Sequence, residues 1–244
     1  MRRPLFLYLL LPLLAFCSTS LRADDDRPPL TGEEVMRLVR YSNALQDYEF
    51  TGILTNKATK RREGFRLRMI DGTIRFVFGN PPQAIHLELK HDRAELREVV
   101  KGSNALVPAE RLGQTVRGTD MNYEDLSMRF LYWPRPSIER EERVLSQKCW
   151  RILVYAPDAR SPSGPKGPYI AVRVWVDQNS GGILKMEAYD KAGKIVKRFE
   201  VKKGQKVDGT WILKQMRVES FRSGETKASG LTYLELNDPI KRPE

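Results

Sequence analysis

Two histidines, two cysteines and a cluster of three acids are the residues of this chain whose types and spacing could support chemistry. His86 and His91, with Asp71 or Asp92, contain the parts of a hydrolase's base and its orienting carboxylate. The alternation of residues 85–90 puts His86 on a charged strand face, which makes it a surface histidine instead. Asp120, Glu124 and Asp125 gather at the predicted start of a short helix, where carboxylates cap backbone N–H groups. Cys149 lies inside a predicted strand beside Trp150, with no acid–base partner in the pattern, and reads as an unpaired buried thiol. Cys17 falls in an apolar leader, so neither a disulfide scaffold nor a cysteine-based zinc site is available. There is no G-x-S-x-G elbow, H-E-x-x-H helix, phosphate loop or dinucleotide fingerprint. The reading is therefore not an enzyme, with no catalytic residue, no metal ligand and no cofactor assigned.

The residues that remain are apolar, and their spacing defines the elements that position them. Residues 31–34 have capping-box spacing, Thr31 with Glu34 three on, and Val35, Leu38, Val39, Tyr41 and Leu45 follow at helical period. From Tyr48 the period becomes two. Phe50, Gly52 and Leu54, then Phe65, Leu67 and Met69, then Ile74, Phe76 and Phe78, then Ile85, Leu87 and Leu89 alternate with polar neighbours. Asp71-Gly72 suits a two-residue hairpin turn, and Asn80-Pro81-Pro82 breaks the chain. Residues 108–133 lose the alternation. There Asn122 is placed to cap a short helix carrying Leu126, Phe130 and Leu131, and Pro134 ends it. Strands resume at 148–155, 169–177, 183–189, 195–201, 211–221 and 226–236, joined by short turns that force antiparallel pairing.

This pattern predicts a mainly β (α+β) fold: one large antiparallel sheet, one opening helix and a helical insertion, forming a single domain over residues 31–240. A sheet of about ten strands with one apolar face must curl. Its inner face would be lined by Phe50, Phe65, Leu67, Met69, Phe76, Phe78, Leu87 and Leu89, with Val172, Val174, Met186, Phe199, Met216 and Val218 from the second half. Leu126, Phe130, Leu131 and Trp133 are the candidate lid. Two helical segments hardly cover so wide a face. An incompletely filled apolar cavity for acyl chains is one expectation, and an interior filled by its own side chains is the other.

The N-terminus bears on location. Arg2-Arg3 precede an apolar run at 5–17, followed by small and polar residues up to Ala23 and then Asp24-Asp25-Asp26. This is the layout of a cleaved signal peptide, 1–23, and the run is too short to span a bilayer comfortably. Residues 24–30 read as a flexible tail. The expected location is the periplasm; lipid anchoring at Cys17 is disfavoured by bulky Phe16. The chain's 244 residues carry a net charge of +11, and removing Arg2, Arg3 and Arg22 with the leader leaves +8.

With these elements in place, the chain resembles the LolA-like outer-membrane lipoprotein-sorting family of bacteria. The resemblance rests on the stretch Gly118-Thr119-Asp120-Met121-Asn122-Tyr123-Glu124-Asp125-Leu126. It rests also on Val174-Trp175-Val176-Asp177, Glu187-Ala188-Tyr189-Asp190, Gly193-Lys194 and residues 207–211, in family order over 31–236. It implies a half-open β-barrel with a helical lid over a lipid-binding cavity. It also implies an exported carrier that holds acyl chains of lipoproteins or lipids by binding alone. The family's carrier latches its lid with an inner-strand arginine, and Arg66, Arg68 and Arg75 lie in the relevant region without one being singled out. The alternative is an envelope sensor or accessory protein that uses the same shell to bind a partner protein.

Lysines and arginines run densely at 57–68 (Lys57, Lys60, Arg61, Arg62, Arg66, Arg68) and again at Lys197, Arg198, Lys202, Lys203 and Lys206. Such runs are solvated strand faces, or they draw the protein transiently to an anionic membrane surface or an acidic envelope protein. Nucleic acid is a poor fit, since the aromatics alternate inward instead of forming a stacking platform.

Overall fold

Thr31 starts the first helix by reciprocal capping. Its N–H donates to Glu34 Oε2 at 2.7 Å, and the Glu34 N–H donates back to Thr31 Oγ1 at 3.2 Å. The helix, α1, spans Gly32–Ala44 in this computed structural model, which describes residues 29–44, 48–70, 72–161, 166–207 and 209–240. The leader, Cys17, most of the 24–30 tail, Leu45 and Asp71 lie outside them. The buried face of α1 is Val35, Met36 and Val39, whereas Leu38 and Tyr41 are 44% and 55% exposed. The expected stripe is thus corrected: the core meets positions 35, 36 and 39, and positions 38 and 41 point off that face. Gly32 permits the contact with the chain at Pro136, whose carbonyl carbon would stand 2.7 Å from any Cβ there.

Thirteen strands follow. The first six are β1 (Tyr48–Asn56), β2 (Arg62–Ile70), β3 (Thr73–Phe78), β4 (Gln83–Leu89), β5 (Ala94–Val100) and β6 (Ser103–Leu106). After a non-strand stretch come β7 (Ser137–Val144), β8 (Gln147–Tyr155), β9 (Ala171–Asp177) and β10 (Ile183–Tyr189). Last are β11 (Ile195–Val207), β12 (Thr210–Ser220) and β13 (Gly230–Ile240). They form one antiparallel sheet in the order β6-β5-β4-β3-β2-β1-β13-β12-β11-β10-β9-β8-β7. Apart from β6 and β7, each strand pairs with its sequence neighbours, mostly across short turns, and the two ends of the run, β1 and β13, pair in the middle. The sheet does not close: β6 and β7 are its edges.

That order determines the path of the connection. The edge strands β6 and β7 are consecutive in sequence, so residues 107–136 must cross the opening from one margin of the sheet to the other. The strap is a consequence of topology before any of its own contacts form.

Register carries the apolar alternation across strands as rows. Phe50 pairs with Leu67, Leu67 with Phe76, and Phe76 with Ile85, all on the inner face. Across the other half Ile152, Val174 and Met186 align, then Phe199 with Val218. Gly52 belongs to the same inner row because the Phe65 ring lies over it; a Cβ there would stand 2.9 Å from Phe65 Cε1. On the outer face the alternate residues form ion pairs, such as Arg68 with Glu49 at 2.9 Å and Arg173 with Glu139 at 2.6 Å. Arg66 also pairs with Glu49, and Arg75 sits opposite Arg68 and His86, so none of Arg66, Arg68 and Arg75 reaches the inner face. Exposed ion pairs of this kind contribute little to stability individually.

Among the described residues no helix is long and apolar enough to cross a membrane. Strand limits differ from the alternation in three places: β9 starts at Ala171, β11 runs on to Val207, and β13 covers 230–240. The charged edge strand β7, Ser-Ile-Glu-Arg-Glu-Glu-Arg-Val, has too little apolar content to stand out by period.

Candidate functional site

The strap occupies the trough. It opens with a 3-10 turn at Ala109–Arg111 and doubles back on itself where Val116 N–H donates to the Met121 carbonyl at 2.7 Å. It then enters α2 (Tyr123–Ser127). Asn122 caps α2 as its sequence position predicts. Its side chain accepts from the Asp125 N–H at 2.8 Å, and its own N–H donates to Asp125 Oδ2 at 2.8 Å. The single helix expected here is broken: Met128 takes φ 47°, and a 3-10 turn, Arg129–Tyr132, follows. The break aims two sets of side chains inward. Leu112, Val116, Met121, Tyr123 and Leu126 come from one side of it, and Phe130, Leu131 and Trp133 from the other; all are buried.

The inner-face residues inferred from alternation are in the same apolar cluster. Phe50, Phe65, Leu67, Met69, Phe78, Leu87, Val174, Met186 and Val218 are buried, while Phe76, Leu89 and Met216 are half-buried and packed against them. The lid candidates Leu126, Phe130, Leu131 and Trp133 join this cluster directly. Of the two expectations, this packing favours an interior filled by its own side chains. One void of about 10 Å³ lies beneath the strap, between Leu54, Phe76, Phe78, Val116, Met121, Leu126 and Leu234. That is about the minimum for one water, against several hundred Å³ in a ligand pocket. The strap supplies the missing volume, so the trough is closed by the chain itself.

How the strap is held differs from how it is filled. Its motif residues make polar contacts to a row of inward side chains along one rim of the sheet. Asp120 accepts from Thr232 Oγ1 at 2.7 Å and from Asn56 Nδ2 at 3.3 Å, and the Asp120 N–H donates to Thr232 Oγ1 at 3.0 Å. Lys197, buried on β11, donates to the Asp120 carbonyl and to Ser220 Oγ, and lies 3.7 Å from Asp125 Oδ2. Tyr169 donates to Asp125 Oδ1 at 2.6 Å and accepts from Asn122 Nδ2 at 2.9 Å. Glu124, 3% exposed, pairs with Arg129 within the strap. Burial pushes the Asp125 carboxyl above the ordinary Asp range, with Lys197, Tyr169 and the Asn122 N–H opposing. Burial likewise raises Glu124 against the pull of Arg129.

A second clasp lies on the far strands. Tyr123 donates its hydroxyl to Glu98 on β5, and Arg111 and Gln83 donate to the same carboxylate at 2.6 Å each. Burial works against ionisation of Glu98, but these three donors outweigh it and hold the carboxyl below the usual Glu range. Burial and Glu98 push the Tyr123 hydroxyl up to about 12. A third contact is Arg117, whose guanidinium reaches Glu63 at 2.8 Å and packs over the Phe78 ring. At the strap's end, Arg40 of α1 donates to the Leu131 carbonyl, and Tyr132 donates to the Lys90 carbonyl at 2.8 Å.

Alternation alone did not single out these anchors. Lys197 belongs to a basic run in sequence, yet it lies two residues before inward-facing Phe199 and shares its face. That spacing was the available signal. Glu98, Asn56, Thr232 and Tyr169 had none, because each is one polar residue in an otherwise ordinary strand or loop. His86 faces Arg75 and Arg97 across the outer strands, and burial with Arg75 lowers its pKa. Cys149 is a buried free thiol pushed up to about 11 by burial.

Two predictions arise here. Gly230 faces Asp120 so closely that a Cβ would overlap its carboxylate. Gly230→Ala should displace Asp120 from Thr232 and Asn56 and lower stability by about 1–3 kcal/mol, read from the urea midpoint. The second concerns acid. Glu98's folded pKa is depressed, so its contribution is present above the unfolded value near 4.3 and is lost as pH falls through the lower folded one. Glu98→Gln should cost about 1–3 kcal/mol at pH 7 and lose less than the parent on acidification from pH 5 to pH 3.

A cleft of about 300 Å³ lies where the strap's end, the β4–β5 turn and the β8–β9 loop meet, with Tyr132, Trp133 and Tyr169 at its wall and Arg93, Arg129 and Asp158 at its rim.

Comparison with known proteins bears on the fold and the strap. A family model described as an uncharacterized protein matches residues 104–242, from β6 through the strap to the end of the sheet. No curated protein matches the chain in sequence. Among solved structures, a domain described as belonging to an outer membrane lipoprotein-sorting protein of Vibrio parahaemolyticus is similar, with TM-score 0.66. It shares 18% identity, covering 86% of this chain and 91% of that one. A LolA superfamily protein of Nitrosomonas europaea is similar at TM-score 0.61 and 14% identity, covering 88% of this chain and 96% of that one. Identities this low establish a shared fold, the open LolA-like half-barrel.

Proposed function

Because the chain belongs to the uncharacterized-protein family whose model covers residues 104–242 and has the LolA-like fold, we propose that it is an exported binding protein. In this reading it takes up acyl chains of lipids or lipoproteins and is seen here with its trough closed. The observation that carries this is the way the strap is fastened. A segment meant only to complete a core is held by apolar contact. This one is also pinned by Asp120, Asp125 and Tyr123 to inward polar residues on β1, β5, β11 and β13, and by Asn122 to Tyr169. Discrete polar contacts can be exchanged with water one after another, and a buried ion pair adds little net stability to the closed form. Lifting the strap would expose the Phe- and Leu-rich rows and free the volume that Met121, Leu126 and Phe130 now fill. An acyl chain would then replace one set of apolar contacts with another, so that release is as feasible as capture.

Lys197 takes the part that an inner-strand arginine plays in the family's carrier, holding a backbone carbonyl of the strap from the inner face. The leader supports export, and the printed description of the Vibrio relative supports a lipoprotein-linked ligand. No step of this function breaks a covalent bond.

The test is native and denaturing lipid mass spectrometry of the exported protein, together with titration of a fluorescent fatty acid and a fluorescent lipopeptide. Co-purifying lipid or saturable uptake is expected. Neither lipid nor uptake would overturn the reading, and a stoichiometric protein partner that survives lipid removal would favour the envelope sensor instead.

A further inference from the structure

The β11–β12 hairpin extends past the rest of the sheet. β10 pairs with β11 only as far as Glu200, and β13 pairs with β12 only from Gln215 onward. Residues 201–207 and 209–214 therefore form a two-stranded ribbon, on the rim opposite the one where the strap's motif is clasped. A free ribbon is marginal in water, and this one is steadied on one face, where Ile212 is buried and Val207 packs against the core.

The other face is built differently. Trp211 is 64% exposed, the most exposed of the large apolar side chains among the described residues. Its indole lies across Gly204, where an added Cβ would stand 3.2 Å from Cε3, so the absence of a side chain at 204 lets the ring lie flat on the ribbon. Lys206 is directly opposite Trp211 in register, and Lys203 lies one pair further along beyond Gly204. Neither lysine has an ion-pair partner among the described residues. The sequence 202–214 holds four lysines and one acid, Asp208.

We propose that this ribbon is a docking element for anionic lipid bilayers. A flat indole suits the boundary between headgroup and acyl chain, where its ring is apolar on one side and wet on the other. Lysines beside it gain from the negative surface potential, and that gain decays within a Debye length. Trp211 is too exposed for a core residue and, among the described residues, has no second aromatic in ring contact with it for stacking a base. Its lysine neighbours oppose a cationic partner. The inference does not depend on what the trough holds, because it uses the rim away from the strap.

The test is co-sedimentation of the exported protein with vesicles of phosphatidylglycerol and phosphatidylethanolamine, and with phosphatidylcholine alone. Binding to the anionic vesicles, weakening between 50 mM and 500 mM salt, is expected. Lys203→Glu with Lys206→Glu should lower partitioning by about 25-fold or more, at about fivefold per lost lysine. Trp211→Ala should abolish quenching of tryptophan emission by brominated acyl chains, leaving the urea midpoint unchanged. Equal binding to neutral vesicles, binding unaffected by these substitutions, or no binding by the parent protein would overturn the proposal. In the last case an acidic protein is the remaining fit for the lysines.

Discussion

Lys197→Met should destabilise the protein by about 3–5 kcal/mol at neutral pH, the usual consequence of removing one partner of a buried pair. The methionine fills the volume of the lysine stem but leaves the Asp120 carbonyl without its donor and the Asp125 carboxylate without its ammonium. Asp125 then ionises with still more difficulty than it does in the parent. Its folded pKa rises further above the unfolded value, so this deficit shrinks as pH falls through that raised pKa, while Glu98 works in the other direction. Urea midpoints between pH 4 and pH 8 should show the gap between parent and variant narrowing toward acid. The same substitution bears on function. If the strap must lift for an acyl chain to enter, weakening the closed form raises the competent fraction. Apparent affinity for a fluorescent fatty acid should then rise about tenfold for each 1.4 kcal/mol. Lower stability with unchanged probe affinity would sink the idea that this clasp governs access.

Phe78→Ala should cost about 3–5 kcal/mol, because Phe78 is 2% exposed and borders the void beneath the strap. Its removal also takes away the ring under Arg117. The enlarged hole is walled by Leu54, Phe76, Val116, Met121, Leu126 and Leu234, an apolar lining that stays dry and accepts small hydrocarbons. Saturating benzene should therefore recover part of the lost stability in the variant and do nothing for the parent. No recovery would mean that the strap collapses into the hole, and so that it is far less firmly pinned than Asp120, Tyr123 and Arg117 imply.

The two substitutions separate what holds the strap from what fills the trough. That separation makes a closed interior compatible with the binding role proposed above. The filling is soft and replaceable, Met121 and Met128 included, and interchange of one apolar occupant for another changes the free energy little. The fastening is directional and located at a few atoms.

Cys149 and the histidines mark what the molecule does not use at this site. The thiol is held protonated inside β8, and His86 is bracketed by arginines on the outer face. The acids of the 118–126 stretch, which resembled a family motif in sequence, have a mechanical part instead: Asp125 closes a capping box and receives Tyr169, and Asp120 ties the strap to β13.

The sequence by itself determined most of the strands and their inward faces, though not β5 to β7, because period two forces alternate residues to one side and short turns force antiparallel neighbours. It determined the capping of both helices at Thr31 and Asn122, because those interactions span only three residues. Tertiary structure alone decided that β1 meets β13, and with it that β6 and β7 are margins and that the segment between them must bridge the opening. It alone decided that the trough is full, since filling depends on how far residues 112–133 descend into it. Lys197 and Lys206 sit in the same basic run; the spacing from Phe199 puts Lys197 on the inner face, but only tertiary structure brings it to the Asp120 carbonyl and leaves Lys206 exposed where neighbouring strands stop pairing.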